Sequence, residues 1–169
     1  VRIVSEPGTR YSYSGGGYTL LQLVIEEVTG LPFDEYMKNE ILEPLGMHQS
    51  SFASDPAMVE NLSVVYDTGG NAVPCRSFTA KAAAGLYTTA HDLSLWAVAM
   101  IPANVNSEGM EILTADTLQQ MYRPQIEKNN LFPYGLGYMI QKILFKDEIE
   151  VSHTGTNLPG WSSLVATVP

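Results

Sequence analysis

The sequence predicts an α+β fold, in which a mostly helical region (residues 1–133) is followed by a three-stranded antiparallel meander (residues 134–169). Two observations carry this. In the first region apolar residues recur at three- and four-residue spacings, the mark of helices with one buried stripe. After Tyr134 the period shortens, and aromatic and β-branched residues alternate or run between turn residues. Helices first and strands last argues for α+β rather than for alternating βαβ units.

The elements follow in order. Glu6-Pro7-Gly8-Thr9 is a turn, and a helix starts from Tyr18. Its Leu20, Leu21, Val24, Ile25 and Val28 form the apolar stripe, with Glu26 and Glu27 on the wet side. Gly30 ends it, and Pro32 opens a second helix as its first residue, with Phe33, Tyr36, Met37 and Ile41 on one face. Met47 to Pro74 reads as a long surface excursion with one β-like run, Leu62 to Tyr66. Thr89 caps a helix through Ala90, Leu93, Trp96, Ala97 and Met100. Pro102 to Gly109 is a loop. Thr114 caps another helix, with Leu118 and Met121 inward. The strands are Tyr134–Ile143, Ile149–Thr154 and Trp161–Val168, joined by turns at Lys146-Asp147 and Asn157-Leu158-Pro159-Gly160. Three strands leave long unpaired edges, which natural domains cover or pair. The sequence is therefore expected to lack segments on both sides. Alone, it is expected to aggregate, to exchange strands between chains, or to associate with a missing N-terminal part.

Composition narrows the function. Hydrophobic residues make up 45% and charged residues 16%, enough apolar matter for a packed core. The net charge of −9, with nine Lys and Arg and no basic block, argues against nucleic acid as a partner. No apolar run approaches the ~20 residues of a membrane span. One cysteine, Cys75, cannot make an internal disulfide. His48, His91 and His153 lie far apart, and no metal-ligand spacing stands out, so no cofactor is implied.

Three segments could carry chemistry. Tyr11-Ser12-Tyr13-Ser14-Gly15-Gly16-Gly17-Tyr18 is Gly-rich and precedes a helix. A phosphate loop would need Lys where Tyr18 stands. The remaining readings are a flexible lead-in with core tyrosines, or a tyrosine held beside a cleft. Glycine lets backbone approach a ligand, and a phenol can shuttle a proton where nearby cations lower its pKa. Ser152-His153-Thr154-Gly155-Thr156 ends a strand and could present an imidazole, a hydroxyl and free backbone to an extended ligand. Taken alone, such a His is more often a satisfied structural residue. Ala83 to Ala90 is a turn and a helix cap with no chemistry of its own.

Together these segments resemble the penicillin-recognising serine hydrolases. That family includes class C β-lactamases, D-alanyl-D-alanine carboxypeptidases and related esterases. Pro7 to Tyr18 with Glu26-Glu27-Val28-Thr29-Gly30 resembles the second-motif region. Ile41-Leu42-Glu43-Pro44-Leu45-Gly46-Met47 and Gly85-Leu86-Tyr87-Thr88-Thr89-Ala90 are similar to later segments. His153-Thr154-Gly155 with Pro159-Gly160-Trp161 resembles the third motif. The matches are in family order and span nearly the whole chain, as parts of one interrupted catalytic domain.

The resemblance implies roles residue by residue. Tyr13 matches the tyrosine that moves the nucleophile's proton and protonates the leaving group. His153 matches the Lys or His of the third motif. Gly15 stands where Asn would hold a substrate amide, which weakens a specific β-lactamase assignment. Thr154 would lend a hydroxyl, Gly155 would leave room for substrate, and the Thr156 N–H would form one arm of an oxyanion hole. The family's nucleophile is the Ser of Ser-x-x-Lys. No Ser here is followed by Lys three positions later; Ser77 and Lys81 are four apart. The resemblance thus implies an acyl hydrolase whose serine lies outside these residues, inactive in this form. Its partner would be a small molecule or peptide carrying a carboxylate or acyl group. It also implies a periplasmic or extracellular site of action, although the lone Cys75 fits the cytoplasm as well. The other reading is a non-catalytic binding module on the same scaffold, recognising peptidoglycan-like peptides or protein partners.

Overall fold

Ser14 sets the first helix. Its side chain accepts from the Gly17 N–H at 3.0 Å, so α1 runs Gly15–Thr29 and takes the glycines into its first turn. The start expected at Tyr18 is therefore three residues late, because an N-cap outweighs the poor helix propensity of glycine. Gly30, at φ 72°, ends the helix in the left-handed conformation as expected. The computed structural model describes residues 2–54, 56–75, 77–102, 112–126, 133–144, 146–157 and 160–169. The expected loop after Pro102 and the Leu158-Pro159 part of the last turn lie outside them.

The stripe expected to bury α1 does not do so. Leu20, Leu21, Val24 and Val28 are exposed, and no α1 residue is fully buried. Glu26, expected on the wet side, instead accepts from the Phe33 N–H at 3.2 Å and ties α1 to the next helix. Gln22 joins α1 to the Thr79–Ala82 segment, donating to the Thr79 carbonyl and accepting from the Ala82 N–H. α2 spans Phe33–Met37, with Pro32 outside it at ψ 142° rather than as its first residue. It passes into one π-helical turn, Lys38–Leu42, which rotates Leu42 inward.

The supposed surface excursion is partly ordered and partly buried. Met47 and Ser50 are buried, α3 spans Pro56–Glu60, and β1 (Val65–Tyr66) pairs antiparallel with β2 (Ala72–Val73). Elements this short leave no periodicity to read. α4 (Lys81–Ala84) then leads to α5 (Ala90–Ala99), capped by Thr89 as expected, and to α6 (Ala115–Met121), capped by Thr114. The meander is present in the order β3-β4-β5: Met139–Lys142, Ile149–Asn157 and Trp161–Thr167. β3 is shorter and β4 longer than the alternation implied.

Two apolar clusters share α5. Met100, Leu118, Tyr122, Tyr138, Ile140 and Val151 form one, and Leu42, Leu45 and Met47 the other; Trp96 and Ala99 pack against both. The Trp96 indole N–H donates to the Tyr138 hydroxyl at 3.0 Å. Tyr122, whose hydroxyl donates to the Met100 carbonyl, is held protonated by burial well above the usual phenol range.

Asp92, 1% exposed, fastens the loop after Met47 to α5. Its Oδ2 accepts from the Gln49 N–H at 2.8 Å and the Ser50 hydroxyl at 2.7 Å, while its own N–H donates to the Thr89 hydroxyl. Ser50 spends its only proton there, so in the 2.7 Å contact between Ser50 and Thr88 it is Thr88 that donates.

Two tests follow from this architecture. Asp92→Ala strands the buried Ser50 hydroxyl and the part-buried Gln49 N–H, and should lower the unfolding free energy of the full-length protein by about 1–3 kcal/mol in urea titrations. Among the described residues β5 pairs only with β4, and its other edge adjoins no strand. With the bare α1 stripe, that edge should make the 169-residue chain alone elute as oligomers in size-exclusion chromatography with light scattering; a stable monomer would contradict this.

Candidate active site

The N-terminal lead into α1 and the end of β4 come together at the rings of Tyr13 and His153. Tyr13 is 67% exposed, immediately before the Ser14 cap. Its ring centroid lies 6.3 Å from that of His153, with 33° between planes. The two residues, 140 positions apart by number (153 − 13), are thus brought together. His153 is half-buried.

The strand register opens this end of β4. β3 pairs with it only as far as Met139 opposite Ser152. From His153 to Asn157 the strand keeps its β5 partners, Val165 to Trp161, but has no β3 residue on the other side. Thr154, Gly155 and Thr156 are exposed there. A β-carbon on Gly155 would come within 3.0 Å of the Ser163 hydroxyl oxygen, so a side chain would crowd the strand on that face. Gly15, at the start of α1, is exposed and lies against Ala83: an added β-carbon would stand 3.7 Å from the Ala83 methyl. The Asn157 amide donates to the Ala84 carbonyl at 3.4 Å. The Ala83–Ala84 segment, read from sequence as devoid of chemistry, therefore flanks the same cleft.

A set of phenols completes it. Tyr134 meets His153 edge-on, with centroids 6.4 Å apart and planes at 84°. On its other side Tyr134 packs against Tyr11, with centroids 4.8 Å apart and planes tilted by 31°. Burial, then the neighbouring phenols, push Tyr134 well above the usual phenol range. Tyr18 is raised by burial and then by Tyr13 and Tyr11. Tyr138 is raised by burial, against the opposing Trp96 hydrogen bond. A cavity of about 550 Å³ lies among Tyr11, Tyr13, Tyr18, Leu21, Tyr134 and Leu136. Sequence reading took Tyr134 only as the first residue of a strand. The signal for it was the Tyr134-Gly135-Leu136-Gly137-Tyr138 spacing, which marks a turn.

Some candidate chemistry is absent. Lys81 is ion-paired with Asp34 at 2.6 Å, which together with a hydrogen bond holds the Asp34 carboxyl below its usual range. Lys81 is thus committed to a carboxylate rather than to Ser77. Among the described residues no group of three or more His, Cys, Asp or Glu could hold a metal, and no helix is long and apolar enough to cross a membrane.

Comparisons with known proteins agree with this architecture. The beta-lactamase family model matches residues 1–169. A D-aminopeptidase of Gluconobacter oxydans is 25% identical over 166 residues, 94% of this chain and 29% of that protein. The octameric penicillin-binding protein homologue from Pyrococcus abyssi superposes with a TM-score of 0.77 at 27% identity, over 98% of this chain and 37% of that one. A class C beta-lactamase mutant superposes with a TM-score of 0.82 at 17% identity, over 99% of this chain and 52% of that one, a likeness of fold. The chain thus spans about a third to a half of these structures and less than a third of the D-aminopeptidase.

Proposed function

The chain belongs to the beta-lactamase family, and from that premise we propose that it forms the tyrosine and His-Thr-Gly side of the active site of a serine acyl hydrolase. The observation that carries this is the approach of Tyr13 to His153, a phenol and an imidazole at one cleft, from segments that have no other reason to meet.

The proposed chemistry runs as follows. A serine hydroxyl, supplied from outside these 169 residues, attacks the acyl carbonyl of the substrate. Its proton passes through the Tyr13 phenol to the leaving nitrogen or oxygen, whose bond to the carbonyl carbon breaks. Water then cleaves the serine ester, returning the proton to serine and releasing the acid. His153 polarises the site beside the phenol. The open run of β4 lies where an extended acyl group can pair with backbone, and the Thr156 N–H meets charge developing on the tetrahedral oxygen. Gly15 offers no side-chain amide. The substrates favoured are therefore peptides or esters with a D-amino-acid or simple acyl group, in keeping with the D-aminopeptidase relative.

Two reagents test this in the full-length protein: a fluorescent penicillin and a fluorophosphonate. Covalent labelling of one serine, mapped by mass spectrometry, is expected. Tyr13→Phe should slow labelling about 10²–10⁴-fold with the fold intact by circular dichroism. Reversible binding of a D-alanyl peptide without acylation would instead establish a non-catalytic binding module. The 169-residue chain alone should not label.

A further inference from the structure

Tyr134 occupies a position that the acyl-hydrolase chemistry does not use. It belongs to none of the motif segments that the resemblance singles out. Yet its ring is fixed on both sides, by Tyr11 at 4.8 Å and by His153 at 6.4 Å. We propose that Tyr134 is a positioning residue for His153: a wall that holds the imidazole at the angle at which it faces Tyr13. The inference rests on the reading of Tyr13 and His153 given above.

The backbone under Tyr134 is held by hydrogen bonds on both sides. Its carbonyl accepts from the Gln125 N–H at 2.9 Å, and Tyr134 bridges to Met139 across the turn. The Gly135 N–H donates to the Tyr138 carbonyl at 2.8 Å, and the Leu136 N–H to the Met121 carbonyl at 2.9 Å. A β-carbon on Gly135 would lie 2.0 Å from that Met121 oxygen, which no native contact permits. Gly137, at φ 87°, adopts a conformation that other residues resist, and a β-carbon there would press the Tyr18 hydroxyl at 3.2 Å. The turn is therefore locked from α6 on one side and from α1 on the other. A ring projecting from it has little freedom to drift.

The contact partners of His153 show why such a wall is needed. Its ring contacts are Tyr13, itself 67% exposed, and Tyr134. An exposed phenol cannot hold an imidazole in place. A ring anchored by a locked turn can, through edge-to-face packing. The planes stand at 84°, so it is the ring of Tyr134 that meets the imidazole, and burial favours its neutral form.

The test uses the full-length protein with p-nitrophenyl butyrate as substrate and His153 ring-proton resonances as a second readout, assigned by their loss in His153→Gln. Tyr134→Phe keeps the ring, so kcat and the His153 resonances should stay near wild type. Tyr134→Ala removes it, so the resonances should move and kcat should fall about 10- to 100-fold, as misplacement by about an ångström does. KM should stay within about threefold, since the contact is not with substrate. If Tyr134→Ala fails to fold, Tyr134→Leu is read in its place. Unchanged resonances and kcat in the ring-deleted variant would overturn the proposal. So would a Tyr134→Phe defect as large as that of Tyr134→Ala, because the hydroxyl would then be the agent. A wild-type protein that neither turns over nor labels defeats the acyl-hydrolase reading, while the resonance comparison, which needs no turnover, still decides the place of Tyr134.

Discussion

The Leu136 N–H donates to the Met121 carbonyl across a gap that only a glycine at position 135 leaves open. That hydrogen bond ties the end of α6 to the start of the sheet. It fixes the direction in which the chain leaves toward β3, and so the register that stops at Met139 opposite Ser152. Because β3 stops there, the next residues of β4, His153 to Asn157, have among the described residues no strand partner on that side. Had β3 begun with Tyr134, as alternation alone suggests, its pairing would have covered this run and closed the cleft. A close backbone approach of a few ångströms therefore decides whether the strand end is structural or available.

The second constraint comes from α5. Its Trp96 and Ala99 pack against both apolar clusters, and the Trp96–Tyr138 hydrogen bond satisfies a donor that would otherwise be buried without a partner. The cleft is built where the helical side, represented by Tyr13 and the α1 cap, reaches the sheet side, represented by His153. The Asp92 network fixes the N-terminal turn of α5 to the loop after Met47.

Much of this was legible in the sequence, and the rest has physical reasons for being hidden. α5 and α6 announced themselves through Thr89 and Thr114, whose hydroxyls cap the helices as their positions imply. The meander was legible because its strands alternate. α1 was misjudged at both levels: Gly15-Gly16-Gly17 masks a helix start that Ser14 supplies, and a stripe read as buried is exposed here. Glu26 was placed toward solvent because periodicity sees a face and not the Phe33 N–H waiting for an acceptor. The π-helical turn and the β1–β2 pair were too short to leave a period. Tyr13 and His153 could be named only through family motifs, since their meeting is a fact of tertiary structure. For Tyr134 the sequence offers only a turn signal, because its contacts, Tyr11 and His153, are distant in the chain.

The phenols of the cleft divide by environment. Tyr18, Tyr134 and Tyr138 are each pushed above the usual phenol range, with desolvation as the leading cause. Such surroundings favour the neutral phenol, which can pack and donate a hydrogen bond. Tyr138 illustrates the use made of such a group: its oxygen receives the Trp96 N–H and joins the core. Tyr13, at 67% exposure, is more open to solvent than Tyr18 at 40% or Tyr11 at 38%, and its ring lies 6.3 Å from that of His153. A proton shuttle must exchange with a nucleophile on one side and a leaving group on the other, which requires an open approach. Exposure thus sets Tyr13 apart from Tyr138, which is spent in the core, and supports the proposed role of position 13 in proton transfer.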